Sequence, residues 1–122
     1  METSCREFID VLIQHSSRMR AVYHETVDYW SPDAPPATTL FAELGDKIAE
    51  DSGAEKNGIN SEVFRLIEAA MTSGNDKLVT AVATGLIEAI AARISEDEQM
   101  RQRILPRLGE QSRKHLDAWL AG

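Results

Sequence analysis

The sequence has 122 residues, a length typical of one domain, and its 43% hydrophobic and 27% charged residues are typical of a globular fold. It contains no apolar run near the roughly 20 residues of a membrane-spanning helix, and its first residues lack the basic and apolar regions of a signal peptide. Because Cys5 is the only cysteine, an intrachain disulfide is excluded. We therefore expect one domain over residues 1–122, in the cytoplasm and without membrane contact.

The net charge of −7 is concentrated in the middle of the chain. Residues 23–68 hold ten acidic and three basic side chains, whereas residues 1–22 hold three of each and residues 69–122 hold seven of each. Such a field repels a phosphate backbone, so we expect no nucleic-acid binding. It would attract and steer a basic protein, although an acidic face that only keeps the protein in solution is an alternative.

Apolar residues recur at helical spacing along the chain, and no alternation of apolar and polar residues is long enough to predict a strand. Ser4 with Glu7, and Ser95 with Glu98, have the spacing of N-terminal capping boxes. In chain order, the patterns predict helices over residues 4–15, 18–30, 39–51, about 60–72 and 76–94, one from 95 to about 106, and a last one after 109. The predicted fold class is all-α, an irregular bundle of six to seven helices with antiparallel helical hairpins in a single domain.

Proline, glycine and asparagine residues predict the connections between the helices. Residues 31–38 contain three prolines and form a stiff connector, whereas residues 52–60 are the stretch that we expect to be most flexible. At the 73–75 turn, a glycine suited to the end of one helix is followed by an asparagine suited to cap the next. Gly85 lies inside the most apolar helix. Glycine lowers helix stability there by about 1 kcal/mol relative to alanine, which is reasonable if another helix crosses closely.

The sequence gives little support for a catalytic or metal site. Ser112, His115 and Asp117 have the residue types of a hydrolase triad, but positions five residues apart on one helix point about 140° away from each other. His24 and Asp28 share a helix face, yet two side chains do not complete a metal site. We therefore expect no enzyme activity, no metal and no cofactor.

Glu88 has two interpretations. It lies in the most apolar predicted helix, so its carboxylate needs a partner or a proton. One interpretation is an internal ion pair with Arg65 or Arg113. The other is a small enzyme that uses Glu88, with Glu68, in an internal pocket where the carboxylate pKa is raised.

Tyr29 and Trp30 also have two interpretations, since they lie beside acidic residues where the second predicted helix meets the proline connector. Exposed aromatic side chains surrounded by acids would anchor a protein partner. Alternatively, Trp30 packs into the core and closes the helix end.

The second half of the chain contains a series of segments that resembles a known family. These are Val63-Phe64-Arg65-Leu66-Ile67-Glu68, the Ser73-Gly74-Asn75 turn, the segment from Val79 to Glu88, Leu108-Gly109-Glu110-Gln111-Ser112-Arg113, and Trp119. Over residues 40–120 the chain resembles small helical immunity proteins of bacterial contact-dependent inhibition and related polymorphic-toxin systems. Glu110 departs from the pattern, which would place proline after Leu-Gly.

The resemblance implies an immunity protein that binds a cognate secreted toxin domain and blocks its active site or access to it. The toxin domain would be basic, with a nuclease as one candidate, because the acidic segment favours a basic partner. A helical adaptor or regulatory protein unrelated to toxins is the alternative. From the charge segregation we predict a toxin-binding surface formed by Glu25, Asp28, Tyr29, Asp33, Glu43, Asp46, Glu50 and Asp51.

Overall fold

A computed structural model describes residues 1–52 and 59–122, and these residues form an all-helical bundle without a strand, which confirms the predicted fold class. Over these two ranges the helices are α1 (Thr3–His15), α2 (Ser17–Trp30), α3 (Ala37–Ser52), α4 (Ser61–Met71), α5 (76–94), α6 (Glu98–Ile104) and α7 (Glu110–Ala121). Most of the segment predicted to be flexible, 53–58, lies outside the described residues. Among the described helices, none is both long and apolar enough to cross a membrane.

Two of the helices are irregular. Helix α5 consists of the α-helical turns Asp76–Ala81, a π-helical segment Val82–Ile87 and the α-helical turns Glu88–Ile94. Helix α6 continues into a 3-10 turn, Leu105–Arg107, in which Pro106 prevents further regular helix. The sequence patterns predicted the bounds of α5 but not its π-helical centre.

Several helix ends follow from local capping. The Asn60 and Asn75 side chains accept hydrogen bonds from the backbone N–H groups of Val63 and Leu78, at 3.1 Å in both cases, and so cap α4 and α5. Gly74 adopts a φ of 75°, a conformation that side chains other than glycine rarely tolerate. These observations confirm the predicted turn between α4 and α5.

The two predicted capping boxes are wrong. Helix α1 is capped by Glu2, whose carboxylate accepts hydrogen bonds from the Cys5 backbone N–H and from the Ser4 hydroxyl. Helix α6 is capped by Asp97, which accepts a hydrogen bond from the Met100 backbone N–H. In both helices a carboxylate takes the place expected for serine, because a negative charge interacts favourably with a helix N-terminus.

The centre of the core is the crossing of α3 with the π-helical part of α5. A Cβ atom added to Gly85 would lie 2.7 Å from the Cβ of Phe41, which confirms the close crossing expected at this glycine. On the other helix, a Cβ added to Gly45 would overlap the backbone of Leu86. Nothing in the sequence pattern indicated a role for Gly45, although the two glycines together let α3 and α5 approach closely.

Helix α7 is joined to α4 by the carboxylate of Glu68. It accepts hydrogen bonds from the backbone N–H groups of Gln111 (2.8 Å) and Ser112 (3.0 Å) and from the Ser112 hydroxyl (2.7 Å). Partial burial raises the pKa of Glu68, but these hydrogen bonds outweigh it and leave the pKa below its ordinary value. A Cβ at Gly109 would overlap the Glu68 side chain, so glycine provides the space for this contact.

Candidate functional site: the groove between α2 and α3

Helices α2 and α3 pack against each other and leave an open groove of about 490 Å³ between them. The floor includes Val22 and Thr26, which are buried, and the Thr26 hydroxyl is satisfied by donating a hydrogen bond of 2.8 Å to the Val22 carbonyl. The remaining lining residues are Glu25, Tyr29 and Trp30 from α2, and Thr39, Glu43, Lys47 and Glu50 from α3. We call this feature the α2–α3 groove.

Glu25 and Glu43 give the α2–α3 groove its negative charge. Both side chains are exposed, and they project from different helices into the same groove. Within residues 1–52 and 59–122, neither carboxylate has a basic side chain within 4.0 Å. The groove therefore presents two negative charges that the described part of the protein does not neutralise.

The two aromatic residues at the end of α2 have different environments. Tyr29 is 85% exposed, which is unusual for a large side chain that also lines a groove. Trp30 is half-buried and lines the same groove. Tyr29 thus has the exposure expected of an anchor, whereas Trp30 lines the groove and is not among the side chains packed against the core.

A buried acid at the end of α3 organises the basic residues near the groove. Asp51 has a side chain that is only 8% exposed. Its Oδ1 lies 3.6 Å from Nζ of Lys47, and its Oδ2 lies 3.0 Å from a guanidinium nitrogen of Arg18 on α2. Oδ2 receives no aligned hydrogen bond from the described residues, so the contact with Arg18 is an ion pair without ideal geometry. The Lys47 ammonium is also 3.8 Å from Glu50.

The structure brings together four of the eight residues predicted to form the binding surface, namely Glu25, Tyr29, Glu43 and Glu50. Asp28 is exposed on α2 but is not one of the residues that line the groove. Asp46 accepts a hydrogen bond of 2.8 Å from Arg93, an interaction that raises the pKa of the Arg93 guanidinium.

The prediction that Asp51 belongs to the binding surface is wrong, because its side chain is buried against Arg18 and Lys47. Asp33 lies in a separate cleft of about 670 Å³ between α1, α2 and the proline connector. This cleft is larger than the α2–α3 groove. However, Arg6 lines it together with Asp10 and Asp33, so its charge is more nearly balanced.

The side chains considered for catalysis each contact a different residue and do not form a triad. Ser112 is buried and donates to Glu68, while the Arg113 side chain donates to Asp117 at 3.1 Å. His115 lies 2.9 Å from Glu88. The predicted pairing of Glu88 with Arg65 or Arg113 is therefore wrong, because these two arginines pair with acids three or four residues away on their own helices.

Comparison with known proteins places the chain in a family. No curated protein and no solved structure matches it. A family model does match, over residues 9–121, and its description is "Domain of unknown function (DUF7674)". Because that match spans nearly the whole chain, the protein belongs to the DUF7674 family.

Proposed function

We propose that this protein is a non-catalytic inhibitor that binds a basic protein domain through the α2–α3 groove, and that this domain is a cognate bacterial toxin. One observation carries the proposal: the groove combines the 85% exposed Tyr29 with two carboxylates, Glu25 and Glu43, that form no ion pair within residues 1–52 and 59–122. Exposed aromatic side chains and desolvated charge pairs are the groups that dominate protein–protein affinity. A basic side chain of the partner would lie between the two carboxylates and against the tyrosine ring.

The magnitudes agree with tight binding. Charge-assisted hydrogen bonds contribute about 1.5–3 kcal/mol each, and a buried aromatic anchor about 2 kcal/mol or more. Inhibition of a lethal enzyme demands nanomolar affinity, about −12 kcal/mol. Two such hydrogen bonds and one aromatic anchor contribute about 5–8 kcal/mol, so contacts on the adjoining surfaces of α2 and α3 must supply the remainder. The unbalanced negative charge also accelerates association with a basic domain.

The class of partner rests on the resemblance of residues 40–120 to immunity proteins. Such an inhibitor works in the cytoplasm, where the toxin reaches its target. A nuclease suits the charge of this surface, because enzymes that bind phosphate backbones carry basic side chains at their active sites. A helical adaptor with a basic partner unrelated to toxins is the second candidate, and the acidic groove supports it equally.

Co-expression with a toxin domain encoded directly before this gene tests the proposal. We expect the protein to restore growth, and the variant Glu25→Gln/Tyr29→Ala/Glu43→Gln to lose protection. The matched control is Glu7→Gln/Glu96→Gln, which removes the same charge from two exposed positions outside the groove. Full protection by the triple variant would refute binding through the groove. Binding of the toxin domain without protection would favour the adaptor.

A further inference from the structure

The direction of the Lys47 side chain adds a detail to the proposed binding site. Glu43 and Lys47 are four residues apart on α3, with the acid first, which is the favourable order for an ion pair on a helix surface. In the structure, the Lys47 ammonium instead points toward the C-terminal end of α3, where it lies 3.6 Å from Asp51 and 3.8 Å from Glu50. Glu43 is therefore left without the basic neighbour that its sequence context offers.

Asp51 has the properties needed to hold Lys47 in this position. It is buried, so its charge is less screened by water than that of the exposed Glu43. It is also ion-paired with Arg18 of α2, so the carboxylate lies between the two helices that form the walls of the groove. Glu50 alone is more than half exposed and would compete weakly with Glu43 for the lysine.

We propose that Asp51 is a positioning residue that keeps Lys47 away from Glu43, so that Glu25 and Glu43 stay open to a guanidinium or ammonium group of the partner. Lys47 is then the specificity residue of the groove. It disfavours a partner with a second basic group next to Glu50 and favours one with an acidic or neutral group there. This inference rests on the proposed function, because it concerns the same groove.

Binding of a fluorescent octa-arginine peptide, measured by anisotropy at low salt, tests the inference without knowledge of the natural partner. We expect Lys47→Gln to tighten binding about fourfold, because it removes a positive charge within several ångströms of the peptide in a medium of high dielectric constant. Lys114→Gln removes the same charge from an exposed position on α7 and should leave binding within about 1.5-fold of wild type.

Asp51→Asn should weaken binding of the same peptide by about threefold, because the released Lys47 can then pair with Glu43. The two effects should depend on each other: in a Lys47→Gln background, Asp51→Asn should change binding by less than about 1.5-fold. Circular dichroism and thermal melting identify any variant that does not fold, and Lys47→Gln keeps the inference testable if Asp51→Asn is unstable.

Two results would overturn this inference and leave the proposed function intact. One is equal binding by Lys47→Gln and Lys114→Gln. The other is an equal loss from Asp51→Asn in both backgrounds, which would mean that Asp51 acts through its own charge. A different result would refute the proposed function itself: peptide binding that is unchanged by Glu25→Gln/Glu43→Gln, whatever the effect of Lys47.

Discussion

Replacing Gly45 with alanine tests the close contact between α3 and α5 that fixes one wall of the groove. The new Cβ would lie 2.9 Å from the carbonyl carbon and 3.0 Å from the Cα of Leu86, and closer still to the carbonyl oxygen. Carbon atoms pack best at about 3.5–4.0 Å, so the helices must separate by roughly 1 Å. The obstacle is backbone, and no rotation of a side chain relieves it.

The expected loss of stability is the difference of two terms. Overpacking of a core costs about 1–3 kcal/mol, and the upper end applies here because the separation also loosens buried side chains on both helices. Alanine recovers about 1 kcal/mol of helix propensity. We expect Gly45→Ala to lower the free energy of unfolding by about 2 kcal/mol, which for a domain of this size lowers the melting temperature by about 8 °C.

Urea unfolding followed by circular dichroism measures this change. Gly74→Ala is the control, because its Cβ would meet no atom within 4 Å and only the φ of 75° is strained. Gly74→Ala should lower the free energy of unfolding by about 1 kcal/mol, because only the backbone conformation is strained. If Gly45→Ala is as stable as the wild type, α3 and α5 do not approach each other this closely at Gly45.

Three further substitutions and treatments test other contacts. Glu68→Gln should cost about 1–2 kcal/mol at neutral pH, since α7 loses its charged cap. Because the folded-state pKa of Glu68 is lowered, its contribution is complete above the unfolded-state pKa and disappears as the pH falls through the folded-state pKa, so unfolding curves of wild type and variant should converge in acid. Burial raises the pKa of the Cys5 thiol, so a thiol reagent at pH 8 should react slowly with the native protein and rapidly in urea; rapid native reaction would contradict this burial. Asn60→Ala should cost about 1 kcal/mol in urea unfolding, because it removes the α4 cap and the contact of the side-chain amide with the His15 carbonyl; an unchanged midpoint would contradict it.

The features that the sequence predicted are those with local causes. Asn60, Gly74 and Asn75 act within three residues of their own position, so their types suffice to place the ends of α4 and α5. Helical periodicity likewise depends on near neighbours, and it gave the bounds of α5 closely. The capping boxes failed because more than one suitable residue lay within reach of each helix start.

The features that the sequence did not predict depend on residues far apart in the chain. Glu68 caps α7 from 43 positions away, and nothing near it indicates that role. Asp46 pairs with Arg93 across 47 positions, which removes it from the set of free acids. Charge counting locates the acidic segment along the chain, but only the packing of α2 on α3 decides which of its carboxylates share a groove.

Chemical-shift mapping of the protein during titration with octa-arginine tests the role of the α2–α3 groove most directly. If the peptide binds at this surface, the largest changes in amide chemical shift should occur at Glu25, Tyr29 and Glu43. The affinity obtained from the titration should fall as salt is added. Shifts concentrated on α7 or in the cleft beside Asp33, with the groove residues unmoved, would contradict it.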